Sequence, residues 1–67
     1  MAEKSQIQAV DEYEAGKIMD RGVQTLRNDR HLGRGCPYVK IGRSVRYLMH
    51  DIREYLLKNR IDPEGKI

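Results

Sequence analysis

A second cysteine is missing from this 67-residue chain, so Cys36 stands alone and no internal disulfide can brace the fold. A lone thiol suits a reducing compartment better than an oxidising one. Long apolar runs are missing as well. The opening "MAEKSQIQAV" holds nothing of signal-peptide length, and no later stretch has the roughly 20 apolar residues that a bilayer-spanning helix needs. These absences predict a cytoplasmic, soluble chain with no membrane partner. A chain this short makes one domain, whose core supplies only about 3 to 5 kcal/mol of net stability. Little surface is left over for an enclosed active site. His31, Cys36 and His50 match no zinc-binding spacing, and Cys36 lacks the His and acid partners of a nucleophile. Paired carboxylates occur only near the N-terminus, where the dipole of a short helix explains them. The expectation is therefore no enzyme, no cofactor, no metal and no small-molecule substrate.

Acidic residues are scarce where basic ones gather. From Arg21 to Arg46 the chain has seven basic residues (Arg21, Arg27, Arg30, Arg34, Lys40, Arg43 and Arg46) against Asp29 alone. That stretch carries +6, although the whole chain carries only +3. Such segregation is the electrostatic footprint of a polyanion binder. A solvated arginine-rich surface would look the same by charge alone, so the geometry has to decide.

Residues 1–9 are polar, lack periodicity and predict a flexible arm. Asp11 followed by Glu14 resembles a capping box, with Val10 placed to pack back on the helix it opens. A first helix is predicted from Glu12 to Met19, with Ala15, Ile18 and Met19 inward. "DRG" at 20–22 interrupts it. Val23 and Leu26 then carry a second helix to about Arg30, whose outward positions are Gln24, Thr25, Arg27, Asn28 and Arg30. Two short helices joined at a tight glycine-containing turn outline a helix-turn-helix.

"HLGRGCP" reads as a loop. Two β-type runs follow, Tyr38–Ile41 and Val45–Tyr47, separated by "GRS". Simple alternation places Val39, Ile41, Val45 and Tyr47 on one face and Lys40, Ser44 and Arg46 on the other. Gly42 permits the reversal. Asp51 is expected to cap a last helix from Ile52 to about Arg60, with Ile52, Tyr55 and Leu56 inward. "DPEG" ends that helix, because Pro63 cannot continue it. The predicted class is α+β, mainly helical: a winged helix-turn-helix over residues 10–61, with a two-stranded hairpin wing, a C-terminal helix and a disordered tail over 62–67.

A major groove admits a helix, and paired donors and acceptors read base edges there. Gln24 and Asn28 suit adenine, Arg27 suits guanine, and Thr25 suits a thymine methyl or a phosphate. A cationic tip bearing Lys40, Arg43 and Arg46 reaches the flanking backbone or the adjacent minor groove, which fixes register more than sequence. For Arg30 and Arg34, ion pairs with Asp29 or Asp20 compete evenly with nucleic-acid contact. Tyr38 is expected to pack on the loop, and Tyr47 and Tyr55 to be core aromatics with exposed hydroxyls.

The stretch "DEYEAGKIMDRGVQTLRNDR…GCPYVKIGRSVRYLMHDIREYL" resembles the small winged helix-turn-helix proteins of the excisionase and prophage-regulator type, and more distantly the DNA-binding domain of MerR-like regulators. The likeness covers about residues 10–58 and is carried by "EA" at 14–15, "VQTLR" at 23–27, "PYVKIGRSVRY" and "DIREYL". Where that family usually has Gly-Val-Ser at the turn, this chain has Asp20, Arg21 and Gly22. The resemblance implies binding to double-stranded DNA, with Gln24, Thr25, Arg27 and Asn28 in the major groove and Lys40, Arg43, Ser44 and Arg46 on the wing. It also implies a role in excision beside an integrase or in transcriptional control, with neighbouring copies lining up on DNA. Two other readings use the same fold: a protein-interaction adaptor of antirepressor or terminase-like kind, and a nonspecific architectural DNA binder.

Overall fold

Where the sequence turns from polar to periodic, near Val10, regular structure begins. The structure, a computed structural model, describes residues 8–63. Its elements are β1 (Ala9–Val10), α1 (Glu12–Met19), α2 (Val23–His31), β2 (Val39–Ile41), β3 (Ser44–Leu48) and α3 (Met49–Lys58). Among the described residues, three helices and one antiparallel sheet of order β1-β3-β2 make an α+β fold. No helix among the described residues is long and apolar enough to cross a membrane.

The start of α1 follows from Asp11, whose extended backbone turns its carboxylate onto the Glu14 N–H at 2.9 Å. Glu12 and Glu14 then sit in the first turn, where the helix dipole favours negative charge. The helix closes at Asp20, which takes left-handed angles (φ 57°, ψ 46°), while the Arg21 N–H donates to the Gly16 carbonyl at 2.9 Å. This is a C-terminal cap of the Schellman kind, with Asp in a position that glycine adopts more cheaply. Gly22 opens α2 without a side-chain cap.

Two expectations change at the sheet's far end. Ala9, expected in the arm, pairs instead with Leu48, as Val10 does with Tyr47. Residues 1–7 lie outside the described residues. Asp51 does not cap α3, because the helix begins at Met49 straight out of β3. The chain turns at Leu48, and the Met49 N–H donates to the Gln8 carbonyl at 2.8 Å, which leaves Asp51 in the first turn. The helix ends at Lys58, two residues short of the expected limit, with the Asn59 amide donating to the Tyr55 carbonyl. Of the expected tail, Asp62 and Pro63 are described without regular structure, and residues 64–67 lie outside the described residues.

The hairpin is the main correction. Its loop is two residues long, Gly42-Arg43, because Ser44 pairs with Ile41, Val45 with Lys40 and Arg46 with Val39. Gly42 has φ 61° and Arg43 is not left-handed, as in a turn with glycine at its first central position. Directly opposed residues share a face. Shortening the expected three-residue loop by one therefore reverses the parity of β2 against β3. Lys40 joins Val45 and Tyr47 on one face, while Val39 and Ile41 join Ser44 and Arg46 on the other. Ile41, expected to face inward, is 69% exposed.

The core comprises Ala15, Met19, Leu26, Cys36, Tyr47 and Ile52, with Val10, Val45, Met49 and Tyr55 packed against it. Tyr47 and Ile52 are the large side chains buried completely. Burial, and secondarily the charge of Asp51, pushes the Cys36 thiol up to about 11, so it stays protonated. Ile18 and Leu56, both expected inward, are exposed instead. They line a shallow groove between α1 and α3 with Met49, Ile52 and Arg53.

Candidate nucleic-acid interface

Residues 24, 27, 28 and 31 recur at helical spacing, and all four are exposed along one stripe of α2. The opposite side of the helix is anchored in the core by Leu26. The Gln24 amide donates to the Asn28 side-chain oxygen at 3.2 Å, which leaves both with spare donor and acceptor capacity toward solvent. Thr25 sits half-buried beside this stripe.

Arg27 reaches back to α1. Its Nε donates to both Glu12 oxygens at 3.2 Å, and its Nη2 donates to Glu12 Oε2 at 2.6 Å and to the Tyr13 hydroxyl at 3.3 Å. Arg30, for which DNA contact and an ion pair with Asp29 or Asp20 compete evenly in the sequence, bonds to neither acid among the described residues. It donates from Nη2 to Glu12 Oε1 at 3.1 Å and from Nη1 to the Tyr47 hydroxyl at 2.8 Å. Its guanidinium carbon also lies 5.7 Å from the Tyr38 ring centre and 6.0 Å from that of Tyr47. The two rings are 6.1 Å apart and tilted by 49°. Tyr47 is thus a core aromatic as expected, but its hydroxyl is engaged rather than free. Arg30 is a strut tying α2 to α1 and to the hairpin, with a side chain only 16% exposed against 45% for Arg27.

The two arginines set the protonation of this cluster. The Arg27 hydrogen bonds hold Glu12 below the ordinary carboxylate value of 4.5; burial opposes this, and Arg30 adds to it. The bonds and charge of Glu12 raise Arg27 further still. Burial works against the charge of Arg30, but its bonds to Tyr47 and Glu12 outweigh it. A carboxylate whose folded pKa is depressed contributes stability that is complete above its unfolded pKa and is lost as pH falls through the folded value. Denaturant titrations should therefore show a stability decline below about pH 4.5 to which Glu12 contributes. Glu12→Gln should flatten that decline. An unchanged acid limb in the variant would remove Glu12 from the account.

On the hairpin, Arg43 occupies the tip and Lys40 is exposed on the face shared with Val45 and Tyr47. Arg30 of α2 reaches that same face through the Tyr47 hydroxyl. Ser44 and Arg46 lie on the opposite face, and Arg46 folds back to donate to the Val45 carbonyl at 2.8 Å. Lys40 is thus the wing cation on the face that Arg30 of α2 reaches through Tyr47, and Arg43 stands at the tip between the two faces. Arg34 pairs with Asp29 at 3.2 Å, the outcome expected if it were structural. Arg21 is exposed at the turn between α1 and α2.

Two participants had no sequence signal of their own. Glu12 has Ala15 and Gly16 at the positions where a helical salt-bridge partner would stand, so its partners 15 and 18 residues away are visible only once α1 and α2 are packed. Tyr13, 59% exposed, belongs to the cluster through its hydroxyl. Among the described residues no group of three or more His, Cys, Asp or Glu side chains is gathered to hold a metal. No protein-family model, no curated protein and no solved structure matches this chain.

Proposed function

We propose that this chain binds double-stranded DNA with sequence preference, as a small winged helix-turn-helix protein of the excisionase or prophage-regulator type. In this reading α2 enters the major groove, while the β2–β3 hairpin lies against the minor groove or backbone. The observation that carries it is the exposed stripe of Gln24, Arg27 and Asn28 on α2, together with the exposed cations Lys40 and Arg43 on a hairpin that Arg30 of the same helix ties in through the Tyr47 hydroxyl. Amide and guanidinium groups along one helix face are what base edges require, and flanking cations are what phosphates require. An integrase or neighbouring copies on DNA are the partners this reading suggests.

Selection of duplexes from a random pool, followed by titration of two variants, tests the proposal. Arg43→Ala should weaken binding to every duplex and reduce the salt slope by about one. Arg27→Ala should instead cost about 1 to 3 kcal/mol of discrimination between selected and scrambled sites. Equal losses on every sequence would mark a nonspecific architectural binder. A pool from which no duplex is enriched or retained would mark the adaptor reading.

A further inference from the structure

Arg27 stands at the centre of the exposed stripe, yet it is not a free cation. Glu12 takes its Nε and one Nη2 hydrogen and Tyr13 accepts from the same Nη2, while Nη1 makes no bond among the described residues. Glu12 is itself held at its other oxygen by Arg30, which is fixed to the buried Tyr47 hydroxyl. A continuous chain of contacts thus runs from the core through Tyr47, Arg30 and Glu12 to Arg27. An ion pair this exposed adds little to stability, so that is a weak reason for its geometry. Orientation is a stronger one, because an unrestrained arginine has many rotamers and neutralises whichever phosphate lies nearest.

We infer that Glu12 is the specificity-setting residue of the α2 surface: it aims the Arg27 Nη1 edge outward and withholds that guanidinium from nonspecific phosphate contacts. The inference rests on the DNA-binding reading above. Glu12 would be a positioning residue, acting on the duplex through Arg27 rather than touching bases. Its charge also trims phosphate affinity, because it leaves the Arg27–Glu12–Arg30 cluster with one net positive charge instead of two.

The test compares a duplex selected by the wild-type chain with a scrambled duplex of the same composition, over a range of salt concentrations. Glu12→Gln should tighten binding to the scrambled duplex about threefold, the weight of one removed like charge in a high-dielectric setting. The preference for the selected duplex should fall about tenfold, within the discrimination one arginine–guanine pair supplies. The salt slope should steepen by about one, as Arg27 turns to a phosphate. In an Arg27→Ala background, Glu12→Gln should leave the preference unchanged, a non-additivity that a merely structural role would not produce. Glu12→Asp provides a second variant, should circular dichroism show the Gln variant unfolded. It keeps the charge but is one methylene short of spanning both arginines, so it should lose preference without gaining scrambled-duplex affinity.

Wild-type preference and salt slope in a folded Glu12→Gln or Glu12→Asp chain would overturn the inference and leave the DNA reading standing. The same loss of preference in the Arg27→Ala background would overturn it too. A wild-type chain that prefers no duplex would remove both together, and the wild-type control reports that by itself.

Discussion

Tyr47→Ala is expected to leave the chain largely unfolded at room temperature. Tyr47 is 1% exposed, stacks against Tyr38 and meets residues from α1, α2 and α3 in the core. Truncating a buried aromatic to alanine costs about 3 to 5 kcal/mol. A domain of this size holds only about 3 to 5 kcal/mol in total. The loss therefore matches the whole reserve. Tyr47→Phe separates the ring from its hydroxyl. It keeps the packing but leaves the Arg30 Nη1 without its acceptor, a loss of about 1 to 3 kcal/mol, nearer the lower figure because the guanidinium still reaches water. Far-ultraviolet circular dichroism and denaturant melts check both. A cooperative Tyr47→Ala transition retaining more than half the wild-type stability would show that the core does not depend on this ring.

Gly16→Ala carries the second large effect, with a sign opposite to the usual one. In an exposed helix, alanine for glycine stabilises by about 0.5 to 1 kcal/mol. Here the added Cβ would lie 2.7 Å from the carbonyl oxygen of Arg21. That oxygen belongs to the backbone of the turn and cannot rotate away. The Arg21 N–H is bonded to the carbonyl of Gly16 itself, so relief requires moving the turn and with it the start of α2. A net destabilisation of about 2 kcal/mol is expected, in the range of overpacked sites. On the proposed DNA-binding reading, discrimination between duplexes should fall with it, because the start of α2 would move. Gly22→Ser gives the contrast. A Cβ at Gly22 meets nothing closer than the Thr25 hydroxyl at 4.0 Å, so the serine should stabilise by a few tenths of a kcal/mol as a helix cap. If Gly16→Ala raises the denaturation midpoint, the turn is softer than its hydrogen bonds imply.

Much of this architecture was legible from local chemistry. Asp11 and Glu14 gave the start of α1, the interruption at 20–22 gave its end, and Val23 with Leu26 gave α2 to within one residue at its C-terminus. Each of those signals lies within a few residues of the structure it specifies. The hairpin's existence was equally local, but its register was not. Gly42 and Ser44 are both turn formers, so "GRS" fits a loop of two residues as well as three, and one residue decides which face Lys40 occupies. The α3 start was hidden for a related reason: Asp51 is a good cap, but β3 runs directly into the helix and leaves it no room to act as one. In the site, the exposed stripe of α2 followed from periodicity. The Glu12 cluster did not, because its bonds join residues 15 to 18 positions apart, and only the α1–α2 packing brings them together.

The bond between Gln24 and Asn28 has an evolutionary corollary. Among the described residues these two side chains bond only to each other, so either can drift without disturbing the body beneath them. Arg27 lacks that freedom: its loss leaves the Glu12 carboxylate to Arg30 alone. If the chain reads DNA as proposed, new target preferences should consequently arise first at positions 24 and 28, with 27 changing late and in company with 12.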